Sequence, residues 1–191
     1  MTRDPLLDSS LKRLKMPAVL HDYPKVSEEA GKENTSYEAF LLAILESEVQ
    51  TRESNAVKKR IAKAGFPGIR EIGEYDFTQL PGLKKQKVLP LTQCDDVRRQ
   101  ENIVFIGNHG TGTSHLAIGL GMEACRKGHR VSYFTAASLA HQLIEARSEK
   151  RLLRLEKQIE RSPLLIVDEL GYVPLTQEGA HLLFGILAQR Y

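Results

Sequence analysis

The stretch GNHGTGTSHLA, residues 107–117, decides how the rest of the chain is read. Three glycines, Gly107, Gly110 and Gly112, follow a short apolar run, NIVFI (102–106), and lead into a segment with helical character that ends at Gly128. A loop of the form G-x-x-x-x-G-K-[ST] binds phosphate for definite reasons. Its glycines let the backbone wrap closely with N–H groups turned inward, and it feeds a helix whose N-terminus carries about half a positive charge. The lysine of that pattern reaches the β and γ phosphates, and the hydroxyl ligates Mg²⁺. Gly107, Gly112 and Ser114 occupy the required positions, and Thr113 stands where the lysine belongs. On the loop alone, a phosphate site and a purely structural turn are both open.

A second stretch separates them. LLIVDE is an apolar run at Leu164–Val167 tipped by Asp168 and Glu169. A carboxylate at the carboxyl end of such a strand holds Mg²⁺, and the next acid can polarise a water for attack on a γ-phosphate. Between the two stretches lies a further strand candidate, RVSYF (130–134), with a helical segment on either side. Strands alternating with helices imply a parallel sheet with crossover helices, and loops at the strands' carboxyl ends then face one crevice. The candidate nucleotide contacts are Gly107, Asn108, His109, Gly110, Thr111, Gly112, Thr113, Ser114 and His115. Ser114 and Asp168 are the candidate metal ligands and Glu169 the candidate catalytic base. Losing the lysine removes a charge-assisted contact of ~1.5–3 kcal/mol, roughly 10–150-fold in affinity. Hydrolysis should suffer more, because transition-state charge is where such a cation acts. His109 could supply part-time positive charge, and no lysine lies within 107–115.

Upstream the pattern is helical. Leu11, Leu14 and Ala18 have helical spacing, and Pro17 opens or kinks a helix. A long helix is expected after Thr35 and Glu38, which fit a capping box, with Phe40, Leu41, Ile44, Leu45, Val49, Ala56, Val57 and Ile61 as its apolar stripe. Gly65 and Pro67 end it. Residues 66–100, rich in Pro and Gly, read as a partly extended connection. The expected organisation is a helical module at 1–66, a linker at 67–100 and an α/β domain at 101–191. Phe66, Tyr75 and Phe77 either pack the connection on the core or flank a base.

Composition sets the outer bounds. Of 191 residues, 41% are hydrophobic and 27% charged, which supports a core and a solvated surface. The net charge of +3 splits into +2 before residue 100 and +1 after it, so any nucleic-acid contact must come from local patches. Cys94 and Cys125 form no CxxC pair, so neither a disulfide framework nor a zinc site is expected. The N-terminus lacks a signal-peptide core and no apolar run reaches the ~18 residues of a membrane span, so a reducing, cytoplasmic setting is expected.

The stretches GTGTSHLAIGLGMEACRKGHRVSYFTAASLAHQLIEAR and LLIVDELGYVPLTQEGAHLLFGILAQRY closely resemble the IstB-like transposition helper ATPases of bacterial insertion sequences. Tyr75, Asp76, Phe77 and Pro81 to Leu83 add to the likeness, and Asp168 to Tyr172 (DELGY) is shared with DnaC-type helicase loaders. The resemblance implies an AAA+ P-loop ATPase with a helical N-terminal module, ATP and Mg²⁺ as cofactors, and oligomerisation on DNA. It also implies delivery of target DNA to a transposase; a helicase-loader-like adaptor is the alternative. Two departures bear on enzyme activity: Thr113, and the end of the sequence at Tyr191. The family continues with a polar sensor strand and a trans-acting arginine, and the sensor strand lies between the strands at 102–106 and 164–167. A truncated product with a gap at that place is therefore the expectation.

Two basic clusters are candidates for DNA contact. Residues 135–162 read as one long helix or as two broken near Ser148. On one ideal helix over 143–161, Arg147, Lys150, Arg151, Arg154, Lys157 and Arg161 fall within roughly 120° of arc at ~100° per residue, an arc that a break near Ser148 scrambles. Lys58, Lys59, Arg60 and Lys63 form the second cluster. Each reads equally as a solvated charged face or as a set of phosphate contacts without sequence readout.

Overall fold

In a computed structural model, the described residues are 3–79, 82–108, 110–172 and 174–190. His109, Pro81 and Tyr191 lie outside them. The chain divides into two compact units, Met1–Lys58 and Lys59–Tyr191.

The first unit is helical. Helix α1 (Pro5–Arg13) starts at Asp4, whose carboxylate accepts the Leu6 amide at 2.8 Å. Helix α2 (Pro17–Glu33) has Pro17 in its first turn, where the missing N–H does no harm. Helix α3 (Tyr37–Ala64) is capped by Ser36, whose hydroxyl accepts the Ala39 amide at 3.2 Å. The cap is thus one residue later than the expected Thr35, because Ser36 is the hydroxyl that immediately precedes the first helical residue. Leu11, Val19 and Ile44 form the buried centre, with Met16, Leu20, Tyr23, Val26 and Phe40 around it. The expected stripe is only partly covered: Leu41, Leu45 and Val49 are exposed.

Met16, at the start of α2, offers no capping side chain. Glu48 of α3 does that work from a distance. Its Oε2 accepts the amides of Ala18 at 2.9 Å and Val19 at 3.3 Å, and its Oε1 accepts Nε of Arg52 at 2.8 Å. A carboxylate at a helix N-terminus satisfies orphan donors and complements the dipole. Glu48 is accordingly buried, at 3% exposure.

The second unit is an α/β layer structure. Strand β1 (Val131–Thr135) pairs in parallel with β2 (Leu164–Asp168), in a register that sets Val131 against Leu164 and Thr135 against Asp168. Side chains alternate across the sheet. Val131, Tyr133 and Ile166 meet helix α6 (Thr113–Arg126) through Ile118, Met122, Ala124 and Cys125. Phe134, Leu165 and Val167 turn to the opposite face. There they meet α7 (Ala136–Ser148), α8 (Leu152–Glu160) and α9 (Gln177–Gln189) through Leu139, Leu143, Ile159, Leu183 and Ile186. Gly65 ends α3 in the left-handed region at φ +84°, as a helix-terminating glycine does.

Residues 66–100 differ from the extended connection that their composition suggests. They contain short helices α4 (Lys85–Val88) and α5 (Asp95–Arg99), with 3₁₀ segments at Ile72–Glu74, Phe77–Gln79 and Leu89–Gln93. Ile72, Tyr75 and Val88 pack on Leu116 and Leu120 of α6. Phe66 lies against Tyr133, with ring centroids 5.9 Å apart. All three aromatics of this region therefore pack on the core.

The run at 102–106 is not the buried strand that its apolar character suggests. It joins no ladder, and Val104 and Ile106 are 76% and 93% exposed. A strand exists only through its pairing, and among the described residues nothing forms a ladder with this segment. Phe105 alone turns inward, toward Leu116. No helix among the described residues is long and apolar enough to cross a membrane.

Candidate nucleotide site

The glycine-rich loop is shaped by close approaches. Gly110 and Gly112 take φ values of +82° and +79°, open to glycine at little cost. At Gly112 a Cβ would also lie 2.6 Å from the Tyr75 ring, and at Gly107 one would lie 2.5 Å from the Thr111 hydroxyl. Thr111 folds back on Asn108, donating its hydroxyl to the Asn108 carbonyl at 2.8 Å. The Tyr75 hydroxyl donates to the Thr111 carbonyl at 2.8 Å, and its ring meets His115 edge-on at 5.5 Å. His115 in turn contacts the Glu71 carbonyl through Nε2 at 2.8 Å. The loop is thereby clamped to residues 71–75, and His115 is used for packing.

Helix α6 starts at Thr113 without a side-chain cap. Its first helical bond in the chain direction is the Leu116 amide to the Gly112 carbonyl, 3.0 Å. The amides of Thr113, Ser114 and His115 precede it and lack intrahelical acceptors, as helix geometry requires. Such an end favours an anion. The Thr113 methyl lies 3.2 Å from where a Cβ on Gly107 would sit, so its short side chain is turned back across the loop.

Asp168 ends β2. Its Oδ2 accepts the Tyr133 hydroxyl at 2.7 Å, and its Oδ1 accepts the Glu169 amide at 2.9 Å. Burial, then the Asp168 hydrogen bond and charge, push the Tyr133 phenol well above its ordinary value, so it stays a donor. Glu169 is exposed and left-handed at φ +58°. The turn after it carries Tyr172, whose hydroxyl donates to the Gly107 carbonyl at 3.4 Å. Two motifs separated by some sixty residues of chain are tied directly together at that point.

The donors present suit a hard divalent cation. Ser114 and Asp168 offer oxygens alone, and the described residues hold no cluster of three His, Cys, Asp or Glu that would cage a metal. A cation bound through one or two protein oxygens, with waters and phosphate for the rest, is the usual Mg²⁺ arrangement.

Residues 135–162 form two helices broken near Ser148, the second of the two readings that the sequence allows. The single helix over 143–161 breaks: α7 ends at Ser148, Lys150 takes φ +58°, and α8 begins at Leu152. The common arc of six cations is therefore lost, because a left-handed residue redirects the chain. Arg147 pairs with Glu178 at 3.4 Å, and Arg151 pairs with Glu149. Lys150, Arg154, Lys157 and Arg161 are exposed and make no ion pair among the described residues. In the other cluster Lys58, Lys59 and Lys63 are exposed, while Arg60 donates Nε to the Cys125 carbonyl at 2.7 Å and helps close the end of α6.

Sequence reasoning did not single out Tyr133 or the hydroxyl of Tyr75. Both act across pairs of segments whose register is not written in local periodicity.

A parallel sheet with crossover helices, a glycine-rich loop opening α6 and an acid-tipped neighbouring strand define an α/β domain of the P-loop NTPase class. The family model described as IstB-like ATP binding protein matches residues 9–191. The chain belongs to the IstB-like ATP-binding family. It is 35% identical over 185 residues to a protein named for ATP binding in insertion sequence IS21 of Pseudomonas aeruginosa, covering 97% of this chain and 70% of that one. A counterpart named for insertion sequence IS5376 of Geobacillus stearothermophilus is 34% identical over 179 residues, 94% of this chain and 71% of the other. An IS21-like relative from Bacteroides fragilis is 26% identical over 181 residues, 95% of this chain and 91% of that one.

Proposed function

We propose that this chain is an ATP-binding, DNA-binding helper of insertion-sequence transposition whose hydrolysis is impaired by Thr113. One observation carries the reading: the uncapped start of α6, within a glycine loop, is joined to the acid-bearing turn by the Tyr172–Gly107 hydrogen bond. The names of the relatives, all ATP-binding proteins of insertion sequences, supply the biological setting.

The amides of Thr113, Ser114 and His115 receive phosphate oxygens. Gly110 and Gly112 keep the wall of the loop low enough for that approach. Asn108, His109 and Thr111 complete the loop. The Ser114 hydroxyl and the Asp168 carboxylate would hold Mg²⁺, which when bound would neutralise charge on the β and γ phosphates. Glu169 orients water and takes its proton. Thr113 offers a hydroxyl where a lysine would offer a charge, so the backbone amides and the helix dipole, with Mg²⁺ when it is bound, are left to hold the γ-phosphate. Binding survives in weakened form, and turnover is low.

DNA is held by its backbone through Lys150, Arg154, Lys157 and Arg161, with Lys58, Lys59 and Lys63 as a second group. The transposase is the protein partner, and a homo-oligomer is the working form. The decisive experiment compares the chain with its Thr113→Lys variant in nucleotide binding and phosphate release. The variant is expected to bind roughly 10–150-fold more tightly. Equal turnover by the two proteins refutes the assigned effect of Thr113. A DNA affinity and salt slope unchanged by neutralising the four cations of 150–161 refutes the DNA contact.

A further inference from the structure

We propose that Tyr133 is a positioning residue for Asp168, holding its carboxylate in the one orientation that serves a divalent cation at the nucleotide site. The inference rests on the nucleotide reading above and deepens it. The hydroxyl of Tyr133 donates to Oδ2 of Asp168 at 2.7 Å, and the Glu169 amide occupies Oδ1 at 2.9 Å. Each carboxylate oxygen has one lone-pair direction filled by the protein and one left over. The rotamer is therefore fixed from both sides, while acceptor capacity for a cation or its waters is retained.

The fold makes this contact by register. Tyr133 is paired with Ile166, and Asp168 lies two residues further along β2 on the same face. A tyrosine at this strand position is long enough to reach the strand's acidic tip; a shorter polar residue is not. The ring itself is anchored independently of the hydroxyl. It is 8% exposed, it belongs to the core formed with Ile118, Met122 and Ile166, and it meets the Phe66 ring. The packing and the hydroxyl are thus separable by one oxygen atom. Ligating carboxylates are commonly held by such outer hydrogen bonds, whose removal costs about 10–100-fold in metal affinity.

The test uses the full chain and a fluorescent N-methylanthraniloyl ATP, titrated with Mg²⁺ and again in EDTA. Tyr133→Phe keeps the ring. It is expected to reduce affinity about 10-fold in Mg²⁺ and to leave affinity in EDTA unchanged. In an Asp168→Asn background the same substitution should have no further effect, since the partner whose orientation it sets is gone. A merely structural role would weaken binding equally with and without Mg²⁺, and that result overturns the inference. So does a Mg²⁺ dependence that survives Tyr133→Phe intact, or an unaltered chain that binds nucleotide with no Mg²⁺ dependence. Failure of the unaltered chain to bind the nucleotide under either condition overturns the nucleotide reading itself.

Discussion

Replacing Glu48 by Gln isolates the distant cap that starts α2. The substitution keeps shape and removes charge. One carboxylate oxygen accepts two backbone amides, and the other accepts the Arg52 guanidinium. A carboxamide has one accepting oxygen, so its NH₂ must face either the amides of Ala18 and Val19 or Nε of Arg52. Loss of a helix cap costs ~1 kcal/mol, and a lost hydrogen bond to a charged group in a buried place costs ~1.5–3 kcal/mol. The Arg52 side chain is 58% exposed, so its share is discounted to ~0.5 kcal/mol. The two shares together come to about 1.5 kcal/mol against the helical unit. It is read by thermal denaturation of the full chain and by hydrogen exchange at the Ala18 and Val19 amides.

The same residue gives a pH signature. Burial pushes the Glu48 carboxyl up, but the Arg52 hydrogen bond and the amides of Val19 and Ala18 outweigh it and hold the group below its ordinary value. A lowered folded pKa contributes stability that is fully present above the ordinary carboxylate value. That contribution is lost as pH falls through the folded value. Acidification below about pH 4 should therefore loosen the wild-type cap, and the Gln variant should lack that part of the pH dependence. A destabilisation under ~0.5 kcal/mol at neutral pH, the size of an ordinary surface change, refutes the reasoning.

Gly112→Ala forces a Cβ into the left-handed region and into the Tyr75 ring, so a loss of ~1–2 kcal/mol is expected from the backbone alone, together with weaker nucleotide binding, by melting and titration. Arg190 donates to the carbonyls of Ile159, Ser162 and Pro163 at 3.2, 2.8 and 3.2 Å, closing the end of α8. Arg190→Met keeps much of the stem and should lower stability by ~1–3 kcal/mol in a denaturant titration, without altering nucleotide affinity. Thr113→Lys should restore tighter nucleotide binding in the comparison already described.

Much of this protein can be read from contiguous residues. The glycine loop before a helix, the apolar strand tipped by Asp168 and Glu169, the alternation of strands with helices, the helix start at Pro17 and the stop at Gly65 are all local chemistry. Backbone conformation and periodicity act over a few residues, so they leave a mark in the sequence. The run at 102–106 shows the limit of that argument. Its apolar character suits a strand, but a strand needs a partner, and partnership is a property of the sheet. The break after Ser148 is one of two readings open on the sequence; the left-handed Lys150 decides between them, and charge periodicity, which runs on through such a residue, does not.

Tertiary structure alone decided three things. It brought Glu48 to the start of α2 thirty residues away, set the Tyr133 hydroxyl on Asp168, and tied Tyr172 to Gly107. Each joins segments far apart in the chain. Such pairs are fixed only after strand register and helix packing are fixed, because the cost of closing the intervening chain is met by the whole core and not by the two residues that finally touch.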